Sequence, residues 1–305
     1  MKRLAGIFCG IVSAVSYGTN PVFAVPLLRD GYGVDSMLLF RFLLASLLLA
    51  PVVAAFGGGF RIARAEAGLL VLIGALFAFS SQALFWSFTL MPAGIASAIL
   101  FLYPVFTAAI MAVFFGARIG PKTAAAIAVS LCGVLLLSDF AGGDVSLGGV
   151  ALVVASALSY AAYMVAIKVT RLAGMNGLRL TFYSLLFAAV AAGVKLAAGF
   201  GALQIPGSAA EFRLVAALAV FPTFVSITFT TYSIRYAGPT AAAVLGAFEP
   251  ATAVALCSAI LGEELTARIA CGMALVMVSV VLISLPERKN LQCGRLLRNS
   301  WGNDS

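Results

Sequence analysis

The chain has 305 residues, 63% of them apolar and 10% charged, with a formal net charge of +8 and a mean hydropathy of +1.10. A water-soluble domain carries about 45–50% apolar and about 25% charged residues, so a soluble enzyme, a nucleic-acid-binding module and a disordered chain are excluded. A bilayer-crossing helix takes about 20 apolar residues, and the sequence reads as a polytopic membrane protein.

Apolar runs broken by short polar or Gly/Pro segments predict ten helices. The first, 4–28, follows Met1-Lys2-Arg3 as a secretory signal would, but it is too long for a signal's apolar stretch and is expected to remain as an uncleaved helix. It carries the polar run Ser16-Tyr17-Gly18-Thr19-Asn20, and Gly6 and Gly10 stand at the spacing of a close helix crossing. Helix two, 33–56, contains Phe40-Arg41-Phe42. Arg41 either holds a carboxylate through a bidentate contact or is a structural or snorkelling side chain. Helix three, 67–90, places Phe79, Gln82 and Trp86 on one face at helical spacing. A face mixing amide and aromatic groups suits a pocket, although Trp86 also suits an interfacial aromatic belt.

Helix four, 93–115, holds Tyr103-Pro104, and helix five spans 121–140. Helix six, 147–170, brings Tyr160 and Tyr163, and helix seven covers 177–199. Tyr17, Tyr103, Tyr160 and Tyr163 all sit deep in their helices, where they either line a pocket or pack by hydrogen bonding. In helix eight, 213–236, Thr228 and Tyr232 share a face. Helix nine, 240–261, holds Glu249-Pro250, and helix ten, 267–285, precedes a basic tail, 286–305, expected to be solvated or to rest on anionic lipid. Glu249 is the one carboxylate placed near the membrane centre. It serves either as a proton-coupling or ammonium-binding group, or as a structural partner of Arg41 and an anchor for the helix that Pro250 interrupts.

Charge orients these helices. With the N-terminus inside, Lys2, Arg3, Arg61, Arg64, Arg118, Lys122, Lys168, Arg171, Arg179, Arg235, Arg288, Lys289, Arg295 and Arg298 fall on the cytoplasmic side. Only Arg29, Lys195, Arg213 and Arg268 fall opposite, which by the positive-inside bias puts both termini in the cytoplasm. Histidine is absent, and the five cysteines form no CxxC pair, so neither a metal site nor a disulfide framework is expected. Gly57-Gly58-Gly59 lacks the Lys-Ser/Thr of a phosphate loop. No cofactor and no ATP drive are expected.

The chain also repeats itself. Ser13-Ala14-Val15-Ser16-Tyr17 recurs as Ser156-Ala157-Leu158-Ser159-Tyr160 at an offset of 143, and Leu102-Tyr103-Pro104 recurs as Phe248-Glu249-Pro250 at an offset of 146. Gly116 falls on Gly262, and Trp86 on Tyr232, at that second offset. Duplication of an odd number of helices inverts the second copy, a frequent plan among secondary transporters. The expected organisation is a first five-helix repeat over 1–140, an inverted second repeat over 141–285, and the tail.

The ten-helix layout, the Ser-Tyr-Gly-Thr-Asn-Pro run at 16–21, Phe40-Arg41-Phe42, Pro104, Glu249-Pro250 and Gly262-Glu263 together resemble EamA-type members of the drug/metabolite transporter superfamily. The resemblance covers about 4–285. Gly116-Ala117 stands where that family often has Gly-Glu, and Ala161-Ala162-Tyr163 stands where the first half has Gly18-Thr19-Asn20. It implies an inner-membrane secondary transporter, an exporter of small metabolites with amino acids foremost, working by alternating access around a site between the halves. Tyr17, Asn20, Phe79, Gln82, Trp86, Tyr103, Tyr160, Tyr163, Thr228, Tyr232 and Glu249 are the expected lining. Efflux of cationic drugs or amines is the alternative, set back by the absence of a carboxylate in helix one. An intramembrane enzyme would need paired catalytic groups, which a single Glu249 without histidine does not provide. The expected partners are the substrate and the bilayer, without nucleic acid, and one chain suffices to form the pathway.

Overall fold

The computed structural model describes residues 2–117, 119–137 and 145–284. Arg118, the end of predicted helix five, Cys293 and the basic tail lie outside the described residues. All regular elements among the described residues are helical. In chain order they are α1 (Lys2–Gly18), α2 (Asn20–Arg29), α3 (Val34–Phe56), α4 (Arg64–Ser87), α5 (Ala93–Leu100), α6 (Tyr103–Phe115), α7 (Pro121–Leu137) and α8 (Leu147–Val169). There follow α9 (Gly177–Ala197), α10 (Ala209–Ala219), α11 (Ser226–Ala237), α12 (Pro239–Gly246), α13 (Phe248–Leu261) and α14 (Ala267–Ser284). Among the described residues eight segments are long and apolar enough to cross a membrane, and Pro121–Leu137 and Ala267–Leu282 are shorter apolar helices at the positions of the predicted fifth and tenth spans. The chain is a multi-pass helical membrane protein.

Four of the predicted helices are interrupted. The first restarts after Thr19, with Pro21 in the opening turn of α2. The fourth restarts at Tyr103, with Pro104 in the first turn of α6, and the ninth restarts at Phe248 with Pro250 close behind. A first-turn proline costs little, because its missing N–H has no helical partner there. Pro104 and Pro250 therefore open new half-helices and do not kink continuous ones. The eighth predicted helix is joined through a π-helical turn, Val220–Val225, built around Pro222. Proline inside a helix removes one hydrogen bond, and a wider turn absorbs the defect.

Close packing relies on small residues. A Cβ added at Gly133 would lie 2.8 Å from the Gly272 carbonyl oxygen, so the backbones of α7 and α14 touch. A Cβ at Gly6 would lie 2.5 Å from the Ala237 amide nitrogen, which confirms the close crossing expected at Gly6 and assigns it to α11.

Two helix pairs are bonded alike. Ser13 Oγ in α1 donates to the Ser226 carbonyl of α11 at 2.9 Å, and Ser156 Oγ in α8 donates to the Ser80 carbonyl of α4 at 2.7 Å. Ser156 lies 143 residues after Ser13, and Ser226 lies 146 after Ser80, the two offsets found in the sequence. The same bond is thus made once in each pairing. Both α6 and α13 also end on a left-handed glycine, Gly116 at φ 64° and Gly262 at φ 74°, a conformation that costs glycine least.

Candidate functional site

The half-helix breaks lie beside a group of aromatic and charged side chains contributed by α1, α3, α4, α6, α8 and α13. Tyr103 and Tyr160 meet edge to face at 4.8 Å between ring centroids, and Tyr160 stacks on Tyr163 at 5.5 Å. Phe77 of α4 contacts Tyr163 at 5.6 Å, and Phe42 of α3 contacts Phe77 at 5.6 Å. Tyr17 and Glu249 lie within electrostatic reach of Tyr103 and Tyr160. These five polar side chains are partly buried.

Glu249 occupies the first turn of α13, where the positive end of a helix dipole favours an anion. Gly18 of α1 packs against it so closely that an added Cβ would stand 2.9 Å from the Glu249 carbonyl oxygen. Among the described residues no side chain forms an ion pair with Glu249, and none of the described hydrogen bonds reaches its carboxylate; the structural partnership with Arg41, the second of its two readings, is not formed. Arg41 is 2% exposed. Its Nε donates to Thr223 Oγ1 at 3.0 Å, its guanidinium lies 5.3 Å from the Phe85 ring centroid, and it faces the Tyr17 hydroxyl. Thr223 belongs to the π turn and donates in its own right to the Leu218 carbonyl at 2.9 Å. Asn20 donates from Nδ2 to the Tyr17 carbonyl at 3.0 Å, while its buried Oδ1 has no partner.

The other predicted lining residues lie elsewhere. Gln82 and Phe79 border a separate cavity of about 160 Å³ between α3, α4 and α9, with Asp35, Leu38, Phe42 and Ala191 among its walls. There Gln82 Nε2 donates to Asp35 Oδ1, which also receives Lys195 Nζ at 2.7 Å. Asp35 opens α3 and Lys195 closes α9, so each charge suits the end of the helix that carries it. A strap from the loop after α9 reinforces this end: Tyr32 donates to the Gln204 carbonyl at 2.8 Å and Ser36 Oγ donates to the Ala202 carbonyl at 3.1 Å. Trp86 is 46% exposed on the outer side of α4. Tyr232 stacks on Tyr236 at 6.1 Å, beside Arg235, and the Thr228 hydroxyl is buried without a partner. Trp86, Gln82, Phe79, Thr228 and Tyr232 are thus not drawn into the tyrosine group.

Three features were not placed by sequence reasoning. The Thr223 contact had a signal in Pro222, and the Asp35–Lys195 pair had one in charges standing at helix ends. The third is Glu263, which accepts from the Ala93 and Gly94 amides at 2.7 and 2.9 Å and so caps α5 from a distant loop. Burial raises the Glu263 carboxyl above the usual carboxylate range, against the lowering pull of those amides and of Arg29.

An enclosed polar group between helices that break in mid-span is the arrangement of a transport protein, and the comparisons agree. The sequence profile of the EamA-like transporter family matches residues 4–139 and again 147–285. The chain belongs to that family. It is 30% identical over 190 residues to the "Probable terminal-alkyne amino-acid exporter" of Streptantibioticus cattleyicolor, a match covering 61% of this chain and 62% of that protein. The chain thus spans just under two thirds of that relative's length. A crystal structure sharing 20% sequence identity superposes with a TM-score of 0.64 over 96% of this chain and 99% of the other, which shows a common fold.

Proposed function

We propose that this transporter is a secondary exporter of small metabolites, amino acids foremost, working by alternating access around the Tyr17–Tyr103–Tyr160–Tyr163–Glu249 group. The observation that carries the reading is Glu249, a carboxylate without a partner among the described residues, set at a helix break inside an aromatic enclosure. An unpaired charge at such depth is retained for a ligand or an ion to meet. The amino-acid choice draws support from the partly matched exporter.

On this reading the chain crosses an inner membrane ten times, with both termini cytoplasmic and the second half inverted. The repeated serine bond supports duplication. Inversion draws support from helix direction, since Ser156 and Ser159 of α8 bond back to Ser80 and Leu76 of α4 in antiparallel order. Purified protein in liposomes preloaded with labelled amino acids, amines and sugars tests the function, with amino-acid efflux expected to exceed that of protein-free liposomes. Movement of sugars alone would sink it. A second reading, efflux of organic cations, is favoured by the same lone carboxylate among tyrosine rings, which suits a cation's charge and faces. Faster efflux of a quaternary amine than of any amino acid would select it.

A further inference from the structure

The two family-matched segments, 4–139 and 147–285, are not bonded each within itself. Ser156 Oγ of α8 donates to the Ser80 carbonyl of α4 at 2.7 Å and stands 3.1 Å from Ser80 Oγ, and Ser159 Oγ donates to the Leu76 carbonyl at 2.9 Å. Asp35 of α3 takes Lys195 of α9, and Tyr183 of α9 donates to the Phe60 carbonyl beyond α3 at 2.5 Å. The strap after α9 binds Tyr32 and Ser36 at the start of α3. These bonds make one bundle of α3, α4, α8 and α9, which α6 joins through the Tyr103–Tyr160 ring contact. A second bundle forms around α1. Ser13 Oγ donates to the Ser226 carbonyl at 2.9 Å and stands 3.2 Å from Ser226 Oγ, both in the continuous helix α10–α11. A Cβ at Gly6 would lie 2.5 Å from the Ala237 amide nitrogen, and one at Gly18 would lie 2.9 Å from the Glu249 carbonyl oxygen of α13. Phe23 of α2 stacks on Phe221 at 5.7 Å. Each bundle therefore takes helices from both segments, as does the separate α7–α14 pair, tied by Ser279 Oγ to the Ala126 carbonyl at 2.7 Å.

We infer that transport moves these two mixed bundles against each other, and that residues 4–139 and 147–285 do not move as units. This inference rests on the proposed alternating-access cycle. Within each bundle, hydroxyls are bonded to carbonyls of the neighbouring helix in a region where no water replaces a broken bond. Packed helices joined in that way shift together. Across the boundary the polar bonds come from two residues at irregular backbone. Arg41 Nε of α3 donates to Thr223 Oγ1 in the π turn at 3.0 Å and also faces Tyr17, and Glu263 caps α5 from the loop beyond α13. At that second place α5, the first half of the broken helix that α6 continues, lies against α13: a Cβ at Gly94 would stand 3.3 Å from Cys257 Cβ. The boundary also divides the proposed site, with Tyr103, Tyr160 and Tyr163 on one bundle and Tyr17 and Glu249 on the other.

The test locks chosen helices together in proteoliposomes and measures efflux of labelled L-leucine, or of a labelled quaternary amine if that is what the unlocked protein moves. Two locks lie within the bundles, Ser80→Cys with Ser156→Cys and Ser13→Cys with Ser226→Cys, each in a cysteine-free background. A third crosses the boundary, Gly94→Cys with the native Cys257, the other cysteines being replaced by serine; its 3.3 Å separation is near the roughly 3.5–4.5 Å between the Cβ atoms of a disulfide. Oxidation closes each pair, Hg2+ bridges any pair that forms no disulfide, and excess thiol reopens both. The two locks within the bundles should leave most of the efflux seen after thiol treatment, although each ties residues 4–139 to residues 147–285. The Gly94–Cys257 lock should abolish efflux, and thiol should restore it. Should Gly94→Cys not transport even when reduced, the two serine-derived locks decide alone. Loss of efflux in either of them, restored by thiol, overturns the inference and leaves the proposed function standing, as does full efflux through a closed Gly94–Cys257 lock. An unlocked protein that moves neither leucine nor the amine overturns the proposed function and this inference together.

Discussion

At the scale of single residues, Glu249 and Arg41 owe their meaning to what surrounds them. Both were legible in the sequence as charges inside apolar runs, because the cost of burying a charge makes its presence informative. Their relationship was not legible. Of the two readings the sequence leaves open, the pairing with each other gives way to two separate environments, since a half-helix start places Glu249 while a π turn supplies Arg41 with a hydroxyl. Glu249→Gln keeps the shape and removes the charge. It is expected to fold and to reach the membrane normally, while losing most transport and flattening the pH profile of what remains. Wild-type rates and pH profile in purified Glu249→Gln would reject the role. The tyrosines show the same division between what sequence can and cannot give. Depth within a run singled out Tyr17, Tyr103, Tyr160 and Tyr163, of which Tyr103, Tyr160 and Tyr163 stand in ring contact. The shared face of Phe79, Gln82 and Trp86 was a sound periodicity, but periodicity does not say which neighbour a face meets, and Gln82 meets Asp35.

Among elements, continuous helices were readable from composition and their interruptions were not. A break between two apolar half-helices leaves the hydropathy unchanged, and only Pro21, Pro104, Pro222 and Pro250 marked where the chain restarts or widens. The start of α5 is secured from afar. Glu263 gives the first two amides of α5 the acceptors that a helix start lacks. Glu263→Ala should lower stability by about 1–3 kcal/mol, the range for losing hydrogen bonds to a charged group, read as an earlier unfolding midpoint in detergent. An unchanged midpoint would mean that water serves those amides equally well. The position 146 residues earlier carries Ala117, which has no carboxylate to offer. The α7–α14 crossing is similarly exacting, because Gly133 has a backbone oxygen where a Cβ would go. Gly133→Leu should cost about 1–3 kcal/mol through overpacking, seen as reduced yield and an earlier midpoint. A variant as stable as the parent would show that the two helices separate freely.

For the whole molecule, the charge bias and the repeat predict that Glu66 and Leu203 lie on opposite sides of the membrane. Single cysteines placed there in a cysteine-free background should react with an impermeant maleimide from opposite faces, and labelling from one face alone would contradict the inverted plan. Lys195 and Asp35 join α9 to α3 at the Leu203 end, together with the strap through Gln204, so that end is held by bonds from both halves. On the proposed alternating-access reading, the unpaired Glu249 has a kinetic consequence at this scale. To pass between its two open forms, an alternating carrier closes over its site and expels water. With substrate aboard, Glu249 enters that closed form accompanied; without it, the carboxylate enters alone, at a cost of several kcal/mol in a dry interior. The empty return is then the slow half of the cycle. Liposomes holding labelled leucine should discharge it faster when unlabelled leucine waits outside than when none does, and Glu249→Gln should erase the difference, making one-way flux and exchange proceed at the same pace.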